Sequence, residues 1–97
     1  MHGEIQHAVV TGAGGGIGAA IVTVLVQSGI KVSLLGRTLE SLDRVLDRLG
    51  RPITAQGVVC NVASRDHVDA AISTATNGFG AINLLVNCAG MAKTKPF

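Results

Sequence analysis

Ala8-Val9-Val10-Thr11-Gly12-Ala13-Gly14-Gly15-Gly16-Ile17-Gly18 is the stretch whose reading decides the fold. Ala8 to Thr11 reads as a buried strand. A glycine cluster follows, then an apolar helix from about Ile17 to Ser28, closed by Gly29. In a strand–turn–helix of this kind, Gly12 permits a tight exit from the strand. Gly16 removes a side chain where phosphate oxygens would sit, and Gly18 lets the helix pack closely on the sheet. The backbone can then approach a pyrophosphate, with the free N–H groups of the helix aimed at its charge. Glycine clusters also serve plain turns, and it is the place between strand and helix that favours the phosphate reading. A P-loop is excluded, because no Gly-Lys-Ser/Thr follows and the first Lys is at position 31.

Outward from this turn, short apolar runs alternate with helical patterns. Lys31 to Leu35 reads as a second strand. Thr38 caps a helix with Leu39, Leu42, Val45, Leu46 and Leu49 at helical spacing, ended by Gly50 and Pro52. Ile53 to Cys60 reads as a third strand, with Gly57 its weak point. Ser64 caps a third helix with Asp66 in its first turn and Val68, Ala71, Ile72 and Ala75 toward the core. Gly78 and Gly80 end it, and Ile82 to Val86 is a fourth strand.

Strands without charge on either face imply a parallel sheet covered by helices on both sides. Right-handed crossovers then predict an α/β, Rossmann-like doubly wound sheet of about four strands in the order 3-2-1-4, with three helices. The order reverses between strands one and four. Ligands of such sheets bind there, so the turns after those strands, Gly12–Gly18 and Asn87–Gly90, are the informative loops.

Composition narrows the function classes. The 97 residues suit one domain, read as the N-terminal part of a single dinucleotide-binding domain over 1–97, and 47% are apolar against 14% charged, so the chain folds. With two Phe and no Trp or Tyr, stacking platforms for single-stranded nucleic acid are missing. A net charge of +2 with scattered Lys and Arg argues against nucleic-acid and lipid partners. No charged residue falls between Ala8 and Ile30, but Gly12, Gly14, Gly15, Gly16 and Gly18 inside that run disfavour a membrane helix, and no basic segment precedes it. Cys60 and Cys88, on strands separated by two others, should lie about 14 Å apart at ~4.8 Å per strand. Disulfide geometry needs Cα atoms within about 7 Å, so both are expected as reduced thiols in a cytoplasmic protein. His2, His7 and His67 form no ligand pattern, which leaves each a surface or capping role.

Thr11-Gly12-Ala13-Gly14-Gly15-Gly16-Ile17-Gly18 resembles the Thr-Gly-x-x-x-Gly-x-Gly signature of the short-chain dehydrogenase/reductase family, and Asn87-Cys88-Ala89-Gly90 resembles its Asn-Asn-Ala-Gly motif. The resemblance implies a nicotinamide dinucleotide held by Gly12, Gly14, Gly15, Gly16, Ile17, Gly18, Arg37, Asn61, Val62, Asn87, Ala89 and Gly90. It also implies hydride transfer between the cofactor and a ketone or secondary alcohol, 3-oxoacyl reduction being one example. Members that use NAD(H) carry an acidic residue at the end of strand two for the ribose 2′-hydroxyl. This chain has Gly36 there, followed by Arg37, whose guanidinium suits a 2′-phosphate. NADP(H) is therefore expected over NAD(H), although Gly15 stands where NADP-preferring members often place a basic residue. Asn61-Val62 matches the family's Asp-Val pair beside the adenine, without the charge, and Asn83 and Cys88 are further departures.

The family's catalytic Asn, Ser and Tyr-x-x-x-Lys lie downstream of the Asn-Ala-Gly-type motif, and this chain contains no Tyr. No catalytic residue is therefore assigned. Three readings stay open: a piece or truncated product of a longer enzyme, a non-catalytic dinucleotide-binding module, or one half of a split enzyme. A small-molecule carbonyl or alcohol substrate and a homo-oligomer are expected of the full-length form.

Overall fold

The computed structural model describes residues 5–88. In chain order the elements are β1 (His7–Thr11), α1 (Gly16–Gln27), β2 (Lys31–Gly36), α2 (Leu39–Arg48), β3 (Ala55–Val59), α3 (Arg65–Phe79) and β4 (Leu84–Asn87). The four strands form one parallel sheet in the order β3-β2-β1-β4, as the right-handed crossover rule predicts. β1 is buried along its whole length and β2 from Val32 onward, which is why both are uncharged there. The outer strands alternate between half-buried and exposed residues along much of their length.

Each sheet face has its own core. On one side Val10, Val32 and Leu34 pack with Val22 of α1 and with Leu42, Val45 and Leu46 of α2. On the other, Val9 and Leu35 pack with Cys60 and with Ala71 and Ala75 of α3. Leu39 begins its helix on the solvent side and is 57% exposed, so the apolar stripe of α2 is narrower than its sequence spacing. Thr38 and Ser64 cap α2 and α3 by accepting the amides of Ser41 and His67. α1 and α2 both end in paired hydrogen bonds, Ile30 to Leu25 with Gly29 to Val26, and Arg51 to Leu46 with Gly50 to Asp47.

Three expectations are corrected. The third strand starts at Ala55, not Ile53. Arg51 takes φ 50°, held by ion pairs to Asp47 at 2.6 Å and Asp43 at 3.2 Å, and the chain then turns at Pro52, whose carbonyl accepts from the Ala55 amide. That turn leaves Ile53 in solvent. The fourth strand runs from Leu84 to Asn87 rather than from Ile82. Asn83 precedes it as a clamp, its Oδ1 accepting the amides of Gln6 and His7 at 2.9 and 3.0 Å.

The third correction concerns His7, which is fully buried and not a surface or capping residue. The Gly80 carbonyl, 2.9 Å from Nδ1, can only accept, so Nδ1 carries a proton. Nε2 lies 2.7 Å from Ser33 Oγ, which in turn accepts from Gln56 Nε2 at 2.8 Å. This chain of bonds satisfies a polar group that the apolar sheet would otherwise leave costly. His67 is exposed in the first turn of α3, and His2 lies outside the described residues.

Candidate functional site at the carboxyl ends of the strands

The glycine turn leaves β1 through Gly12, at φ 65°, a left-handed conformation that favours glycine. The Ala13 amide donates to the Leu35 carbonyl at 3.1 Å, tying the turn to the end of β2. Gly15 closes it by donating to the Gly12 carbonyl at 3.2 Å, and α1 begins at Gly16. Gly18 is required for a different reason from the one expected. A Cβ there would collide with the Gly12 carbonyl oxygen and come within 2.9 Å of Ala13 Cα, so helix packs on turn rather than on sheet. A Cβ at Gly14 would strike Ser41 Oγ at 2.6 Å, which places the turn against the first turn of α2. At Gly16 it would meet nothing within 4 Å, and at Gly15 only the Gly12 carbonyl at 3.6 Å.

Among the described residues this arrangement leaves amide donors without acceptors. Ala19 is the first residue of α1 whose N–H finds a carbonyl, that of Gly15 at 2.8 Å. The amides of Gly16, Ile17 and Gly18 point out of the helix N-terminus. α1 has no side-chain cap and no acidic residue in its first turn, whereas α2 and α3 have both, with Glu40 and Asp66 as the acids. The positive end of the α1 dipole is thus left for an anion from outside the helix. Ile17 beside it is 50% exposed, an apolar side chain held at the rim.

Next to the turn lies a hollow of about 150 Å³ lined by Gly12, Gly36, Arg37, Cys60, Asn61 and Val62, among others. Arg37 has no ion pair among the described residues, so its charge is available to the hollow. Asn61 Oδ1 accepts the Ala63 amide at 3.0 Å, so one of its lone pairs is committed to its own turn. Val62, 43% exposed, belongs also to a second hollow of about 290 Å³ over β1 and β4, together with Thr11, Ile72, Leu85 and Asn87. At its floor the Thr11 hydroxyl donates to Asn87 Oδ1 at 2.8 Å, and Thr11 Oγ1 accepts the Cys88 amide at 3.1 Å.

Gly12, Arg37, Asn61 and Val62 therefore meet at one hollow, Val62 and Asn87 at the next, and Gly14 to Gly18 stand at the helix end beside them. Ala89 and Gly90 lie outside the described residues. Sequence reading missed the contact of Ser41 with the turn and the place of Cys60 in the wall. Helical spacing marks a hydroxyl near a cap but not which loop it touches. Cys60 is 1% exposed, and burial pushes its thiol above the usual range, which keeps it protonated and unreactive. Cys60 and Cys88 are both free thiols and pack into the cores on opposite faces of the sheet. Among the described residues no group of three or more His, Cys, Asp or Glu could hold a metal, and no helix is long and apolar enough to cross a membrane.

This geometry has close counterparts. The family model for short chain dehydrogenases matches residues 6–97. An uncharacterized oxidoreductase of Staphylococcus aureus is 42% identical over 83 residues, 86% of this chain and 36% of that protein. Among solved structures, an actinorhodin polyketide ketoreductase with NADPH is 32% identical and superposes with a TM-score of 0.80 over 86% of this chain and 32% of its own. A 3-ketoacyl-(acyl-carrier-protein) reductase of Brucella melitensis complexed with NADH is 30% identical, with a TM-score of 0.76 over 82% of this chain and 32% of its own. The chain spans about a third of the length of these relatives. With the family's glycine turn, its strand order and a match over nearly the whole sequence, the chain belongs to the short-chain dehydrogenase/reductase family of oxidoreductases.

Proposed function

We propose that the chain binds a nicotinamide dinucleotide along the carboxyl ends of its strands, with NADP(H) preferred over NAD(H). The observation that carries this reading is the N-terminus of α1. Three amides that find no acceptor among the described residues, at the positive end of a helix dipole, stand beside a hollow whose rim holds Arg37, which has no ion pair among those residues. The donor set fits a diphosphate, and the open space at Gly15 and Gly16 admits its oxygens without displacing a side chain. In this reading Gly12 to Gly18 hold the diphosphate, and Arg37 with Asn61 and Val62 holds the adenosine side. Asn87 completes the described part of the site at the end of β4.

Preference for NADP(H) is supported by Arg37 and by the absence of a carboxylate at Gly36, since a guanidinium pairs with a 2′-phosphate while an acid would repel it. The NADH complex of the Brucella reductase keeps NAD(H) as the second reading. The bound dinucleotide supplies the hydride donor or acceptor. In a form that carries the family's Ser and Tyr-x-x-x-Lys, the activity is reduction of a ketone or oxidation of a secondary alcohol, with a 3-oxoacyl thioester as the example nearest the ketoacyl reductase relative. The chain contributes positioning: amides and Arg37 fix the dinucleotide, and Thr11 fixes Asn87.

The test is a titration of the chain with NADPH and NADH, following the nicotinamide's own fluorescence, since the protein has no Trp. Saturable binding with NADPH the tighter ligand is expected. Absence of saturation with both dinucleotides defeats the reading, and equal affinity defeats the preference alone.

A further inference from the structure

The turn that walls the smaller hollow is closed by a histidine. Asn61 accepts the Ser64 amide at its carbonyl, 3.0 Å, and the Ala63 amide at its side chain. Ser64 then caps α3 by accepting the His67 amide at 3.3 Å. His67 reaches back over this turn, and its Nδ1 accepts the Asn61 amide at 3.4 Å. The pattern is that of a capping box, in which the third helical residue, ordinarily Glu or Gln, returns a side-chain acceptor to the chain before the helix. Here an imidazole takes that place and reaches three residues beyond the cap.

We infer that His67 is a positioning residue for the adenosine-side wall, and that its protonation releases the Asn61–Val62 turn and weakens dinucleotide binding. Nδ1 can accept the Asn61 proton only while it carries none itself. Histidine is the side chain whose charge changes between about pH 5 and pH 8, so an acceptor built from it is lost on acidification, where that of Gln persists. Asp66 lines the same outer hollow as His67, and Arg65 and Asp69 flank it on α3. β3 faces it with Val58 and Val59, and the remaining lining residues, Ala70, Ala71 and Thr74, are uncharged. The Cys60 thiol beside the turn is buried and protonated. Among the described residues the imidazole is therefore the switching group that touches this turn.

The inference rests on the dinucleotide reading above, and the experiment has one arm that needs no dinucleotide. In the free chain, the Asn61 amide resonance is followed by NMR from about pH 8 to about pH 5.5. It should titrate together with the His67 ring in the wild type and stay in place in His67→Gln. An Asn61 amide that ignores the ring overturns the clasp. In the second arm, NADP+ affinity is measured over the same range for wild type, His67→Gln and His67→Leu. Titration of the cofactor's own phosphate cancels in their ratios. The wild type should lose about three- to tenfold relative to His67→Gln on acidification, the factor of one hydrogen bond. His67→Leu should be weaker than wild type at the alkaline end and flat against His67→Gln throughout. Parallel wild-type and His67→Gln profiles overturn the inference. Absence of NADP+ and NAD+ binding in every variant, with the Asn61 amide still titrating, refutes the dinucleotide reading and leaves the clasp.

Discussion

The Thr11 hydroxyl donates to Asn87 Oδ1 at 2.8 Å and accepts the Cys88 amide at 3.1 Å, so one oxygen joins the carboxyl ends of β1 and β4 where the strand order reverses. Thr11 is 9% exposed. Thr11→Val keeps the shape and removes both side-chain bonds, leaving the Cys88 amide with the Thr11 carbonyl alone, at 3.2 Å. A loss of about 1–3 kcal/mol is expected, read as a lower urea midpoint at unchanged m. Thr11→Ser should retain most of it. Equal stability of the valine variant would show that the strand ends are held by backbone pairing alone.

Two glycines of the turn separate folding from binding. Gly18 has no room for a methyl group, because the Gly12 carbonyl occupies that space, whereas Gly16 opens outward. Gly18→Ala should push α1 off the turn and destabilise the chain by about 1–3 kcal/mol, as over-packing does. Gly16→Ala should leave thermal unfolding within about 0.5 kcal/mol of wild type or slightly improved, since alanine favours the helix. The same alanine should weaken NADPH binding at least about tenfold by standing where phosphate oxygens approach. Undiminished binding in Gly16→Ala would place the anion elsewhere.

Arg37 is the basic residue that lines the hollow and has no ion pair among the described residues. Arg37→Ala should weaken NADPH binding by about 10- to 100-fold, the worth of a hydrogen bond to a charged group, while NADH affinity changes little. Its stability should stay near wild type, because the side chain is exposed. A parallel loss for both dinucleotides would assign Arg37 to the diphosphate or to the fold instead of the 2′-phosphate.

The strand order and the two cores were legible because they follow from local signals. The uncharged run of β1 and that of β2 from Val32 onward announce burial on both faces, glycines mark the ends of α1 and α2, and Thr38 and Ser64 mark the starts of α2 and α3. The errors arose where a long-range partner overrides the local pattern. Ile82 continues an apolar run, yet Asn83 is taken by the amides of Gln6 and His7, more than seventy residues away in sequence. A surface or capping role is the local reading of His7, and only the fold brings Ser33 and Gly80 to its two ring nitrogens. The site divides in the same way. The glycine turn and Arg37 could be read along the chain, whereas the Thr11–Asn87 bond and the place of Ser41 where a Gly14 side chain would stand needed the assembled fold.

The buried polar chain beneath α3 gives a test of that long-range network. Ser33 is fully buried between His7 Nε2 and Gln56 Nε2, and Gly78 lets Gln56 approach, since a Cβ there would collide with its amide. Ser33→Ala should destabilise by about 1–3 kcal/mol, as it leaves a buried ring nitrogen without its partner. Gly78→Ala should also destabilise, against the helix preference for alanine, because Gln56 must withdraw. The two losses should fall short of additive in the double variant, since both act on one network. Full additivity would show that His7 and Gln56 are held independently.

Cys60 predicts a pH effect whose sign is fixed by burial. Its pKa is raised in the folded chain because the buried site penalises the thiolate. Below the unfolded value, about 8.5 for an ordinary thiol, both states hold the proton and the group is neutral toward stability. Above it the unfolded chain releases a proton that the folded chain keeps, so the unfolded state gains and stability falls as pH rises through the folded value. Urea unfolding across about pH 7.5 to pH 10 should therefore show a decline in the wild type that is shallower in Cys60→Ala. The thiol should also resist iodoacetamide under native conditions and react once unfolded, since it is 1% exposed as well as protonated. Rapid native alkylation at position 60, or identical pH profiles for the two proteins, would show that the end of β3 opens to solvent.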